Sequence, residues 1–240
     1  HRDLHSFPTR RSSDLVPMVR ADFDRSLEEL EAELIGLGEM VEKAIVKSMD
    51  ALERRDLALA YEVVAEDDQI DEKRFELEEK CIDLIATQQP LAVDLRTLLA
   101  VLHIAVELER MGDYAEGIGK ICMIIGEDEL VETPQQLAQM ARMGVAMLQR
   151  SLKSLMDRDT DLADEVWDSD DEVDALYDAV CHQIFLDMGQ NPKTIEAATH
   201  FLWVAHDLER IADRATNIAE RVIFVVTGRI GRYKPPGELN

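Results

Sequence analysis

Glu109 and Asp113 stand four residues apart in the run Leu-Glu-Arg-Met-Gly-Asp, and Glu209 and Asp213 hold the same spacing in Leu-Glu-Arg-Ile-Ala-Asp. On a helix that spacing puts both carboxylates on one face, about one turn apart, where they repel unless a cation or a basic side chain sits between them. Hard cations seek that arrangement of oxygen donors. Asp67 with Asp71, and Asp170 with Asp174, show the same spacing earlier in the chain. In an antiparallel helical hairpin the middles of consecutive helices lie opposite one another, so Asp71 is expected to approach Glu109. Glu116 and Glu220 lie one and two turns further on and extend the set. The same pairs also read as solvated helix surface in a chain with 50 acidic residues, with Arg110 and Arg210 as local ion partners. Their recurrence, flanked both times by apolar Leu108 and Met111 or Leu208 and Ile211, sets a cation site beside the solvated-surface reading as a comparable alternative.

Other chemistries are poorly supplied. His1 and His5 fall in an N-terminal segment without periodicity, and His103, His182, His200 and His206 are scattered on mostly apolar stretches, as core or boundary histidines are. No Glu-x-x-His occurs, which argues against the di-iron chemistry of ferritin-like bundles. There is no phosphate-cradling Gly-rich loop, no Gly-x-Ser-x-Gly and no His-Glu-x-x-His, so nothing marks a nucleophile or a nucleotide site. Cys81, Cys122 and Cys181 form no Cys-x-x-Cys pair and each sits in an apolar run, as buried thiols of a reducing compartment do.

The elements that must position the carboxylates are long helices. Phe23, Leu27, Leu30, Leu34, Leu37, Val41, Ile45, Met49 and Leu52 recur at steps of three and four, which predicts one amphipathic helix ending near Arg54. Asp56 reads as the N-cap of a second helix to about Gln88, and Pro90 as the first turn of a third to about Gly126. Thr133-Pro134-Gln135-Gln136 reads as a capping box opening a fourth to about Asp157. Asp159 caps a fifth ending at Gly189, and Asn191-Pro192 opens a sixth to about Gly228. The two halves are self-similar: Asp56 maps onto Asp159, Pro90 onto Pro192, and Val106–Ile118 onto His206–Ile218. The fold class expected is therefore all-α, two tandem three-helix bundles of six long antiparallel helices related by an internal repeat. Residues 1–17 are expected to be a non-native or disordered tail, resembling translated cloning sequence, with Met18 as the natural start. Residues 18–126 form the first repeat, 127–132 a linker, 133–228 the second repeat and 229–240 a C-terminal tail.

Across 240 residues the net charge is −24, and such a surface repels phosphate backbones and anionic membranes while attracting cations and basic protein patches. No nucleic-acid partner and no membrane insertion are expected, since no uncharged stretch approaches the ~18 residues of a spanning helix. Only eleven glycines and seven prolines interrupt the chain, which suits long helices.

Carrying QQPLAVDLRTLLAVLHIAVELERMGDYAEGI and HDLERIADRATNIAERV, the chain resembles the PhoU family, regulators of bacterial phosphate uptake, over essentially all of Arg20 to Gly228. It departs at Asp113-Tyr114 and Asp213-Arg214, where the family usually has Asp-His. The resemblance implies a cytoplasmic, non-enzymatic, homodimeric accessory protein. It would restrain the phosphate-starvation response by docking to the ATPase subunit of the Pst phosphate importer and to a membrane sensor histidine kinase. It also implies iron, zinc, manganese or magnesium on Glu109, Asp113, Glu209 and Asp213, with Asp71 and Asp174 next. A metal-binding bundle with storage or redox activity is the alternative. A continuous coiled coil is disfavoured by the helix breaks.

Overall fold

The computed structural model describes residues 12–126 and 132–229, and within them the backbone is all helical. The elements are α1 (Ser12–Arg54), α2 (Leu57–Gln88), α3 (Val93–Ile125), α4 (Gln135–Asp157), α5 (Thr160–Asp168), α6 (Asp170–Gln190), a 3₁₀ turn at Pro192–Thr194 and α7 (Ile195–Thr227). The first repeat is an up-down-up bundle. Lys47 reaches Glu66 at 2.7 Å and Lys80 reaches Glu33 at 2.6 Å, so α1 and α2 run antiparallel. Arg20 meets Asp94 at one end, and Cys122 Sγ donates to the Ala51 carbonyl at the other, so α1 and α3 run parallel. The second repeat copies this order with α4, α5–α6 and α7.

The repeats are joined by their equivalent helices. Gln149 donates to Glu42 at 2.8 Å and Arg158 pairs with Glu31, so α4 runs antiparallel to α1. Where they cross, Leu152 packs into the space above Gly38, and a Cβ there would make the Leu152 side chain shift. Arg96 donates to the Val225 carbonyl at 3.3 Å, and Arg214 to Glu107 at 3.1 Å, so α3 runs antiparallel to α7. One core spans both repeats: Leu34, Leu37 and Ile45 of α1, Leu98, Ile104 and Leu108 of α3, and Val204, Leu208 and Ile211 of α7 are all fully buried. Each such side chain contributes roughly 1.5–3 kcal/mol by burial, and these contacts fix the axial register of the carboxylates.

Several expectations about helix ends are corrected. Residues 12–17, placed outside the fold, continue α1 outward, since a nucleated helix gains one hydrogen bond per residue added. Pro90 does not open α3; Gln89 ends α2 at φ 48°, Ala92 follows at φ 52°, and the helix begins at Val93. The residue before proline is kept out of the right-handed region, and the left-handed Gln89 reverses the chain instead. The capping box at Thr133 is absent because its hydroxyl turns to the Leu52 carbonyl at 3.5 Å, leaving extended Pro134 as N-cap. The fifth helix is broken at Ser169, whose hydroxyl donates to the Glu165 carbonyl at 2.8 Å, a back-bond that bends helices. Asp170, Asp171 and Glu172 then favour a new N-terminus there. Asp56 and Asp159 do cap their helices, accepting from Leu59 N and from Asp161 N and Leu162 N. The bulk of the expected tails and linker, residues 1–11, 127–131 and 230–240, lies outside the described residues.

Candidate functional site

The sheet-free frame leaves one face of the α3–α7 pair open between α2 and α6, and the acidic side chains gather along its two banks. On the first bank Gly112 lets α2 approach α3 so closely that its missing Cβ would lie 3.3 Å from Asp67 Oδ1. Asp67 thereby comes within range of Asp71, Asp113 and Glu116, and burial with that repulsion pushes its carboxyl up to about 6. Burial, then Asp71 and Glu116, raise Asp113 in the same way. Glu109 is raised by burial, Asp113 and Asp71, against the opposing pull of Arg74 and Arg110. Asp71 is therefore near enough to Glu109 across the hairpin to help raise its carboxyl. Glu116 belongs to the cluster too, with Lys120 at 2.5 Å as its counter-ion.

The second bank repeats this with different partners. Asp170 is pushed up to about 6 by burial and by Asp174, Asp213 and Glu209. Burial and Asp213 raise Asp174 and Glu209. Asp170 Oδ1 and Glu209 Oε2 are buried without a hydrogen bond, and His206 Nδ1 lies 3.7 Å from the latter. Asp213, by contrast, holds Arg210 at 2.6 Å and Arg214 at 3.9 Å. Glu220 does not extend this set; it pairs with Arg221 at 3.6 Å.

Each bank thus holds one carboxyl, Asp67 or Asp170, raised to about 6 by burial and by its acidic neighbours, a setting in which a hard cation competes well for the same oxygens. Among the described residues no three His, Cys, Asp or Glu side chains converge in metal-ligand geometry. Sequence spacing placed Glu109, Asp113, Glu209, Asp213, Asp71 and Asp174 on these banks. It under-weighted Asp67 and Asp170, the members deepest in the helix interface.

Between the banks lies a contact the motif search missed. Glu107 accepts from Arg214 Nη1 and from Asn217 Nδ2, both at 3.1 Å, across the α3–α7 seam. Its repeat equivalent, Asp207, packs on Gly117, the equivalent of Asn217, and Tyr114 occupies the sequence position equivalent to Arg214. A Cβ on Gly117 would lie 3.1 Å from Asp207 Oδ2. Burial alone pushes the Asp207 carboxyl up to about 7. Tyr114 is engaged elsewhere, accepting a hydrogen bond from Arg210. The signal was in the internal alignment, where Asp207 falls on Glu107 but the complementary cation does not recur.

Comparison with known proteins assigns this architecture. The family model described as the PhoU domain matches twice, over residues 34–122 and 137–222. A phosphate-specific transport system accessory protein PhoU homolog of Caulobacter vibrioides is 40% identical over 207 residues, 86% of this chain and 90% of its own length. A homolog of the same description from Clostridium acetobutylicum is 37% identical over 213 residues, 88% of this chain and 97% of its own. The crystal structure of PhoU from Pseudomonas aeruginosa superposes with a TM-score of 0.82 at 31% identity, covering 86% of this chain and all of that one.

Proposed function

The chain belongs to the PhoU family, and on that premise we propose that it is the accessory regulator of a phosphate-specific transport system. It acts in the cytoplasm as a homodimer without catalytic activity. It docks the importer's ATPase subunit and a sensor histidine kinase, and restrains the phosphate-starvation response when phosphate is plentiful. The observation that carries this reading is the double match: both halves of the chain fit the PhoU domain, and the curated relatives named as accessory proteins align over nearly their full length. The rigid helical frame, the open face and the surface charge of −24 support a docking scaffold for basic partners. No helix among the described residues is long and apolar enough to cross a membrane, so on this reading the contact with the transport system is made through its soluble parts. Deleting the gene is expected to derepress phosphate-starvation genes in high phosphate; repression that persists contradicts the proposal.

A second role is supported by the orphaned oxygens of Asp170 and Glu209 and by the hard-donor chemistry of both banks. Iron, zinc, manganese or magnesium would be held by Glu109 and Asp113 with Asp71 on the first bank, and by Glu209 and Asp213 with Asp174 on the second. The ion would supply charge neutralisation that ties α2 to α3 and α6 to α7. Stoichiometric oxidation of added iron by the purified protein would instead favour storage or redox activity.

A further inference from the structure

Along α7, Trp203 and Asp207 stand one turn apart on the open face, and Trp203 keeps 59% of its surface exposed, with His200 edge-on at 5.8 Å. Across the seam Gly117 packs directly against Asp207, whose Oδ2 lies 3.1 Å from where a Cβ would stand. Two turns beyond Gly117, Ile124 is 61% exposed. The pairings of Glu107 with Arg214 and Asn217, and of Gly117 with Asp207, fix the antiparallel register. That register sets Ile124 level with His200, close to Trp203. An exposed indole, an apolar neighbour and a half-buried carboxyl without a hydrogen bond or ion pair among the described residues therefore share one stretch of the seam.

The molecule itself shows what such a carboxyl takes. At the mirror position Glu107 is filled by the Arg214 guanidinium and the Asn217 amide. Around Asp207 those places are held by a tyrosine and a glycine, and the guanidinium is missing. We propose that the patch of the seam carrying Trp203, Asp207 and Ile124 docks an arginine side chain of a partner protein, its guanidinium paired with Asp207 and stacked on Trp203. Arginine fits better than lysine because its planar fork pairs a carboxylate and stacks on an aromatic face at once. The net charge of −24 draws such a partner in, and Lys120 is occupied by Glu116. Among the described residues Asp207 has no hydrogen bond or ion pair, whereas Glu107 has both, so an arriving cation supplies the counter-charge that is found at the mirror position. The inference deepens the docking function proposed above and rests on it for the existence of a protein partner.

The test uses the full chain, labelled with nitrogen-15, and follows the Trp203 indole N–H, assigned with Trp203→Phe. N-acetyl-arginine amide is expected to shift it saturably, and the neutral isostere N-acetyl-citrulline amide to bind at least about tenfold more weakly. N-acetyl-lysine amide should fall between them. Asp207→Asn should weaken arginine binding about tenfold or more. Tyr114→Arg, which supplies from within the guanidinium that Arg214 gives Glu107, should abolish it. Equal responses to arginine and citrulline, or unchanged arginine affinity in Asp207→Asn, would overturn the proposal. If co-purification with the importer or kinase fails while the probe binds as described, the partner assignment falls and the site stands. If co-purification succeeds while the probe ignores Asp207, the site falls and the function stands.

Discussion

The two repeats present the same helices, the same carboxylate spacing and the same seam, yet they neutralise their charges differently. In the second repeat Arg214 serves two acids at once, Glu107 at 3.1 Å and Asp213 at 3.9 Å. In the first, Tyr114 stands at the equivalent place, and Asp113 keeps a raised carboxyl beside Asp71 and Glu116. The consequence is a division of labour along one face. Both banks keep one carboxyl raised to about 6, but Asp213 is paired with arginines where Asp113 has no ion pair among the described residues, and the half-seam at Asp207 lacks a counter-charge. Duplication fixed the backbone frame, and divergence at three positions, Tyr114/Arg214, Glu116/Thr216 and Gly117/Asn217, decided which acid meets which base.

The largest effect expected from this difference is at the satisfied half of the seam. Arg214→Leu takes the guanidinium from Glu107, whose side chain is only 16% exposed and keeps only Asn217 and a long contact to Arg110, and from Asp213, and should cost about 3 kcal/mol in urea denaturation. Tyr114→Leu, its mirror, should cost about 1 kcal/mol, since it removes packing and one hydrogen bond. Equal losses would break the comparison.

Next comes the banks' response to metal. An ion present at a hundredfold excess over its dissociation constant stabilises by about 2.7 kcal/mol, enough to raise the melting temperature by several degrees. Asp113→Asn should remove most of that rise with manganese, zinc or iron, and Asp213→Asn less of it, because arginines already offset the second bank. Identical rises in wild type and both variants would assign the banks to ordinary solvated surface.

A smaller, pH-dependent effect sharpens the seam. The folded carboxyl of Asp207 titrates at about 7, against an ordinary value of 3.8, so the folded state binds the proton more tightly. Its contribution is therefore fully present below about pH 4 and is lost as pH rises through 7. Asp207→Asn should be more stable than wild type at pH 8, by about 2 kcal/mol once solvent screening is allowed for, with the advantage gone at pH 4. A pH-independent difference would contradict the seam assignment.

Much of this was legible in the sequence, and the exceptions have physical causes. The apolar steps from Phe23 to Leu52 gave α1 directly, because one buried face imposes its period on the residues. Asp56 and Asp159 were readable as caps because capping is a local bond. Gln89 and Ala92 were not, since positive φ at non-glycine residues is imposed by the hairpin reversal rather than by side-chain preference. Thr133 was misread because a tertiary acceptor, the Leu52 carbonyl, outcompeted the local one. The carboxylate pairs followed from spacing, but the depth of Asp67 depends on Gly112 and a neighbouring helix. Asp207 was hidden until the antiparallel seam showed which residues face each other.

The smallest difference is at the caps: Asp159 accepts from two backbone N–H groups and Asp56 from one. Asp159→Ala should cost about 1 kcal/mol and Asp56→Ala somewhat less, measured by thermal denaturation.

A docking regulator of phosphate transport, as proposed above, would meet a basic partner with its open α3–α7 face. Affinity capture of the tagged chain from cells grown in high and low phosphate, probed for the importer's ATPase and the sensor kinase, tests it most directly. Association is predicted to change with phosphate supply and to weaken in Asp207→Asn and Trp203→Ala, both still folded. Capture of neither partner in either condition would contradict it.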